Sequence, residues 1–204
     1  MGDTLQVGKI NGNMGTAQII AIDAKQLILR VDLSQPPPAA LPLALVLALP
    51  RPQMLKRILQ NIAEFGIKEL HLINSNKVEK SYWQTPSLQA DAIEQRLRQG
   101  LSQAKDTVLP AVHLHPRFKP FVEDALPTLI AHRDAFIAHP YAEQAAPAAS
   151  TQPRLLVIGP EGGFSDYEVE RMQQQGVQAF TMGSRIYKVE NAVSLLSQQL
   201  SKLA

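Results

Sequence analysis

Apolar residues fall along this chain in two rhythms. In residues 5–7, 16–22 and 26–33 they mix with polar ones at short range, as in Thr16-Ala17-Gln18-Ile19-Ile20-Ala21-Ile22 and Leu27-Ile28-Leu29-Arg30-Val31. That spacing suits the two faces of a half-buried sheet, with Asn11-Gly12-Asn13 and Asp23-Ala24-Lys25 as its turns. From Leu43 onward the rhythm changes to short apolar runs separated by helical stretches. Residues 43–49, 68–73, 112–115, 135–138, 155–158 and 178–182 predict strands. Met54, Leu55, Ile58, Leu59, Ile62 and Phe65 share one face of a helix that Gly66 stops. Further helices are predicted over 88–104, from about Pro120 to Ile130, from Asp166, and over 189–203, where residues 189, 192, 193, 196, 200 and 203 are apolar. Ser165 and Glu168 form an S-x-x-E capping box at the start of the helix from Asp166. Strand, helix and strand within residues 43–73 make a crossover unit, so the fold class is α/β with a parallel sheet. The prolines from Pro36 to Pro42 make a stiff strap. They divide the chain into residues 1–35, a linker over 36–42, and a larger domain over 43–204.

Two strand-to-helix turns carry glycine, Gly159-Pro160-Glu161-Gly162-Gly163 and Gly183-Ser184. They are expected side by side at the carboxyl edge of the sheet, where open α/β sheets bind ligands. A phosphate is the usual occupant of such a turn. Here Glu161, Asp166, Glu168 and Glu170 crowd the first of them, no Gly-Lys-Ser/Thr follows, and no G-x-G-x-x-G trails an early strand. A small ligand with an adenine ring and little negative charge fits better. From spacing alone, a tight turn without a ligand accounts for the glycines equally well.

Composition narrows the choice only slightly. With 20 Lys and Arg against 18 Asp and Glu, the net charge of +2 does not by itself announce nucleic acid. The chain has no cysteine, which excludes disulfides and zinc-thiolate sites and permits a reducing cytoplasm. No signal peptide opens it, and the run Leu41–Leu49 is too short to cross a bilayer. Residues 74–87 interleave Lys77 and Lys80 with Tyr82 and Trp83, and Arg117 and Lys119 flank Phe118. These suit single-stranded RNA, by phosphate pairing and base stacking. Alternatively, Tyr82 and Trp83 plug the edge of the core. His113 and His115 alternate on a strand with no third ligand nearby, which predicts a solvated strand and no metal. Residues 141–153, rich in alanine and proline, predict a mobile surface loop.

Gly159-Pro-Glu-Gly-Gly-Phe164 followed by Met182-Gly-Ser-Arg-Ile-Tyr-Lys-Val-Glu-Asn-Ala192 resembles the paired signature of the RsmE family. Its members are trefoil-knot, SPOUT-class methyltransferases that use S-adenosylmethionine to methylate N3 of a uridine in small-subunit ribosomal RNA. The likeness extends through Leu47-Ala-Leu-Pro-Arg-Pro52, Asn61-Ile-Ala-Glu-Phe-Gly-Ile-Lys68, Val78-Glu-Lys-Ser-Tyr-Trp83, Gln103-Ala-Lys-Asp-Thr-Val108 and Pro116-Arg-Phe-Lys-Pro-Phe121. The resemblance implies a knotted methyltransferase domain over 43–204. It also implies a PUA-like RNA-binding β-barrel over 1–35, of which only the latter half is expected here.

The resemblance further implies that S-adenosylmethionine is held by His139, Ile158, Gly159, Pro160, Glu161, Gly162, Gly163, Met182, Gly183, Ser184, Ile186 and Ala192. Arg185 would stabilise the uridine anion, with Glu190 and Asn191 orienting the arginine or the base. A salt bridge from Arg185 to Glu161 or Glu190, merely bracing the loops, is the alternative. RNA contacts are expected at Arg51, Lys77, Lys80, Arg117 and Lys119. A cytoplasmic homodimer with Val193, Leu196 and Leu200 at or near its contact is also implied. The family more often has Leu-Arg-Thr-Glu-Thr-Ala where this chain has Tyr187-Lys-Val-Glu-Asn-Ala192. Another RNA target, or a non-catalytic RNA-binding or ribosome-assembly factor, therefore stays open.

Overall fold

The computed structural model describes residues 3–203, so residues 1, 2 and 204, at the outer ends of the two expected domains, lie outside the description. Strands β1 (Thr4–Gly8), β2 (Met14–Ile22) and β3 (Leu27–Gln35) form an antiparallel sheet in the order β1-β2-β3. Over residues 1–35, where a partial barrel is expected, the described residues form this open three-stranded sheet. Its β1–β2 turn docks on the larger domain: Asn11 N donates to Thr107 O at 2.8 Å, and Leu109 N donates to Asn11 Oδ1 at 2.9 Å. The Thr107 hydroxyl also donates to the Gly12 carbonyl. The small sheet is thus held at two places, by this turn and by the proline strap.

Six parallel strands make the second sheet: β4 (Leu43–Ala48), β5 (Glu69–Ile73), β6 (Ala111–His115), β7 (Asp134–Ala138), β8 (Arg154–Ile158) and β9 (Gln178–Phe180). Their order is β6-β5-β4-β8-β7-β9. The continuous apolar runs of β4 and β8 lie at the centre and are buried throughout, because helices cover both faces of such a sheet. Helices α1 (Pro52–Glu64) and α2 (Ala90–Ala104) pack on each other, and α6 (Val189–Leu200) packs against α1 and β8. Residues 74–87 are not a plain loop but hold two short 3-10 turns, Lys80–Gln84 and Pro86–Leu88. The helix predicted from Pro120 to Ile130 is broken into α3 (Phe118–Pro120), one π-type turn over Phe121–Ala125, and α4 (Leu126–Ile130). Pro127 has no N–H to give to the preceding turn, so the chain widens there. Helix α5 (Asp166–Gln174) starts at the predicted residue. Among the described residues, no helix is long and apolar enough to cross a membrane.

His113 of β6 is exposed, as a solvated strand has it, whereas His115 is half-buried, which corrects the expectation for that residue. Parallel pairing sets His71 of β5 opposite His113, and the His71 ring stacks on His113 at 4.7 Å and on His115 at 5.2 Å. His71, 5% exposed, sits between two partners, with Nε2 2.9 Å from Glu69 Oε1 and Nδ1 3.0 Å from His115 Nε2. Arg133 closes the cluster on Glu69. These rings stack rather than converge, and among the described residues no group of three or more His, Cys, Asp or Glu is arranged to hold a metal.

Burial holds the His71 imidazole below its ordinary value, against the pull of Glu69, and charge on His113 lowers it further. Burial, then charge on His71 and His113, lowers His115 too. Burial alone would raise Glu69, but hydrogen bonds from His71 and Arg133 more than offset it and leave it lowered. A histidine whose folded pKa lies below its unfolded value makes the unfolded chain bind more protons. The histidines' stabilising share is therefore complete above the ordinary value of 6.5 and is lost as the pH falls through 6.5 toward the folded values. The share from Glu69 persists until below 4.5. Thermal denaturation should accordingly show a Tm that drops by several degrees between neutral pH and pH about 5, and His71→Phe should flatten that dependence.

Candidate functional site

All six parallel strands end at one edge, and the turns that leave β7, β8 and β9 there enclose a cleft of about 110 Å³. The first wall is the loop from Gly159 to Phe164. Gly163, at φ +70°, turns the chain back so that its N–H donates to Pro160 O at 2.8 Å. The second wall follows β9: Thr181 Oγ1 accepts from Gly183 N at 3.1 Å, and Gly183 takes φ +91°. A side chain at either glycine would be strained in this backbone region, and a Cβ there meets no protein atom within 4 Å. Both positions therefore leave open room that belongs to the cleft. The third wall is His139, whose N–H donates to Phe180 O at 2.9 Å, followed by Pro140.

The first loop is anchored from below by Glu168, which is 3% exposed. Its Oε2 accepts from Ser165 N at 2.9 Å and Ser165 Oγ at 3.0 Å, completing the capping box of α5. The same carboxyl reaches across to residues 74–77, where Oε1 accepts from Asn76 N at 2.7 Å and Oε2 from Ser75 Oγ at 3.4 Å. Lys77 adds a second tie, donating from Nζ to Gly162 O at 2.8 Å.

Of the residues named from the sequence, His139, Ile158, Gly159, Pro160, Glu161, Gly163, Met182, Gly183, Ile186 and Ala192 line the cleft together with Arg185. Gly162 and Ser184 do not line it, and Gly162 gives its carbonyl to Lys77. Glu190 lines an adjoining groove, and Asn191 is exposed on α6 outside both. Arg185 makes no salt bridge among the described residues, so the bracing alternative does not hold; Glu161 instead lies near Arg51, at 3.9 Å. The sequence reading missed Ala138, Phe164, Tyr187 and Val189 in the lining, along with Pro140. Phe164, Tyr187 and Val189 lie within the two motif stretches and Ala138 and Pro140 flank His139, and that placement was the available signal.

On the RNA side, Arg51, Lys80, Arg117 and Lys119 are exposed at the same carboxyl edge, Lys119 at 4.0 Å from Glu123. Lys77 is spent on the glycine loop. Tyr82 and Trp83 pack against the core, and Trp83 Nε1 donates to Asn74 Oδ1 at 3.0 Å, as the plug alternative has it. Val193, Leu196 and Leu200 are fully buried within the chain itself, so they cannot face a second copy; Leu195, 47% exposed, is the apolar position of α6 that faces outward.

Comparison with known proteins bears on this geometry. A relative named ribosomal RNA small subunit methyltransferase E, from Treponema pallidum (strain Nichols), is 28% identical over 196 residues, 94% of this chain and 74% of that protein. Two solved structures share the fold. One is ribosomal RNA small subunit methyltransferase E from Neisseria gonorrhoeae bound to S-adenosyl methionine, with TM-score 0.78, 16% identity, and coverage of 97% of this chain and 81% of that one. The other is a probable rRNA-methyltransferase from Porphyromonas gingivalis, with TM-score 0.76, 21% identity, and coverage of 97% and 83%. At these identities the structures speak for the fold alone. The family model described as an RNA methyltransferase domain matches residues 37–201, most of the chain and every wall of the cleft, and so this chain belongs to the RNA methyltransferase domain family.

Proposed function

We propose that the chain transfers a methyl group from S-adenosylmethionine to N3 of a uridine in small-subunit ribosomal RNA. One observation carries the reading: two glycine loops face each other across a cleft that is also lined by Arg185, an arginine with no salt-bridge partner among the described residues. The residues fit the donor. Ile158, Phe164, Val189 and Ala192 give apolar walls for an adenosyl group, Gly163 and Gly183 leave space for it, and backbone groups of the two loops supply hydrogen bonds without a charge that would repel a sulfonium. When bound, S-adenosylmethionine supplies an electrophilic methyl carbon on a positive sulfur.

The chain's own task is to position and polarise the acceptor. Uridine N3 carries a proton and attacks poorly until that proton has passed to solvent water, whereupon negative charge spreads onto the flanking base oxygens. The planar guanidinium fork of Arg185 meets those oxygens as an oxyanion hole would. Holding N3 in line with the methyl carbon supplies the rest, since near-attack geometry replaces a bimolecular encounter.

Finer features accompany this reading. The trefoil knot has support in the chain path: β8 inserts between β4 and β7, β9 lies beyond β7, and α6 then returns to pack on α1 and β8. The small antiparallel sheet serves as part of a PUA-like RNA-binding module. A homodimer would use surfaces around α6 other than its buried stripe, Leu195 among them. A ribosomal substrate places the chain in the cytoplasm.

The test is to incubate the protein with labelled S-adenosylmethionine and small ribosomal subunits from a strain lacking the enzyme, then analyse the nucleosides by mass spectrometry. 3-Methyluridine in the small-subunit RNA is expected. A methyl group on another nucleotide would refute the substrate, and absence of both donor binding and product would leave the non-catalytic RNA-binding factor.

A further inference from the structure

Strand β7 lies between β8 and β9 in the sheet, so the residue that follows it, His139, enters the carboxyl edge between the two glycine loops. Alongside β9 runs a second, more open groove, lined by Tyr141, Glu143, Gln144 and Gln178 among others. His139 is the one residue that lines both the donor cleft and this groove. We infer that its imidazole is the base through which the N3 proton of the acceptor uridine leaves the cleft for solvent water. The inference deepens the proposed methyl transfer and rests on it.

Two further observations support it. First, the ring is free to take a proton. The His139 N–H ties the main chain to Phe180 O at 2.9 Å, and the ring stands edge-on to Tyr141, with centroids 5.7 Å apart. Neither ring nitrogen has a hydrogen-bond or salt-bridge partner among the described residues. His71 and His115, by contrast, spend ring nitrogens on each other and on Glu69.

Second, the other titratable side chains of the cleft suit the task less well. Arg185 has no lone pair to offer, Glu161 lies 3.9 Å from Arg51, and Tyr187 ends in a hydroxyl, a weak base. On the groove side the charged neighbour is Glu143, an exposed carboxylate that favours a proton moving outward.

The chemistry asks for such a group. The N3 proton occupies the electron pair that has to attack, so it must leave before N3 and the methyl carbon can come into line. The N3–H bond breaks, the proton bonds to a ring nitrogen of His139, and the pair stays on N3, with Arg185 facing the charge that spreads onto the base oxygens. That pair then forms the bond from N3 to carbon as the donor's carbon–sulfur bond breaks with its electrons on sulfur. The His139 imidazolium gives its proton to water on the groove side and is restored, as a histidine shuttle does.

The experiment measures single-turnover transfer at saturating donor across a range of pH, using small ribosomal subunits from a strain lacking the enzyme. Near neutral pH, His139→Ala is expected to lose about 10²–10³ in rate while binding S-adenosylhomocysteine within about threefold of the wild-type affinity by calorimetry. The wild-type rate should level off on the alkaline side, whereas that of the variant keeps climbing about tenfold per pH unit, because hydroxide must then remove the proton. Added imidazole should restore part of the variant's rate. A readout apart from turnover comes from diethyl pyrocarbonate, which should modify the His139 ring with S-adenosylhomocysteine bound and fail to do so once the ribosomal subunit is added. A variant as fast as wild type, a slow variant with the wild-type pH profile and no response to imidazole, a ring shielded by S-adenosylhomocysteine alone, or one left open by the subunit overturns the inference. The proposed function would fail differently, by a wild-type protein that neither binds the donor nor forms 3-methyluridine.

Discussion

Arg185→Ala is expected to bind S-adenosylhomocysteine within about threefold of the wild-type affinity and to lose about 10²–10³ in the rate of methyl transfer, the usual cost of removing one oxyanion donor. The split follows from where the residue stands. Arg185 is exposed on the second glycine loop, lines the cleft, and has no salt bridge among the described residues, so its loss leaves neither a buried charge nor a broken core. Only the charge that develops on the base would miss it. Arg185→Lys keeps the charge but not the fork, and should fall between the two. Calorimetry with S-adenosylhomocysteine and single-turnover transfer under saturating donor separate the effects. A turnover equal to wild type would remove Arg185 from the mechanism, whereas loss of donor binding would make it part of the donor seat.

The largest effect on stability should come from Glu168→Ala. That carboxyl accepts from Ser165 N, Ser165 Oγ, Ser75 Oγ and Asn76 N, and it is almost wholly buried. Its removal leaves two backbone N–H groups without partners and empties a small volume, at a cost of about 2–4 kcal/mol. For a chain of this size, Tm should drop by roughly 5–15 °C in a thermal scan. Glu168→Gln retains one acceptor but turns an amide N–H₂ toward a donor, so it should recover part of the loss. A Glu168→Ala protein as stable as wild type would mean that the four bonds are replaced by water. Donor affinity should weaken in parallel, because the same carboxyl fixes the base of the first glycine loop.

What the sequence made legible was local. The uninterrupted apolar run of β8 could be buried on both faces only at the centre of a sheet, and Ser165 with Glu168 announced the start of α5 to the residue. The paired glycine loops followed from the same local reading, whereas the residues of the cleft lining were named through the family resemblance. Contacts between distant segments stayed hidden. Glu168 reads as one half of a capping box, and nothing near it in the chain reveals Asn76, 92 residues away. Lys77 reads as a solvent-facing cation suited to phosphate until the fold brings Gly162 beneath it. His71 hides inside an apolar strand, and its stacking on His113 depends on the parallel register of β5 and β6, which no pattern within either strand sets. The π-type turn had a local cause in Pro127, overlooked because the apolar spacing around it was helical.

The double attachment of the small N-terminal sheet has a mechanical consequence. A module joined by the proline strap alone would sweep like an arm on a hinge, whereas hydrogen bonds between Asn11 and both Thr107 and Leu109 restrain this one against the larger domain. Any stretch of RNA resting on it would lie at a constant span from the glycine loops. The sheet would then act as a ruler, selecting its target nucleotide by distance along a folded RNA as much as by the letters around it.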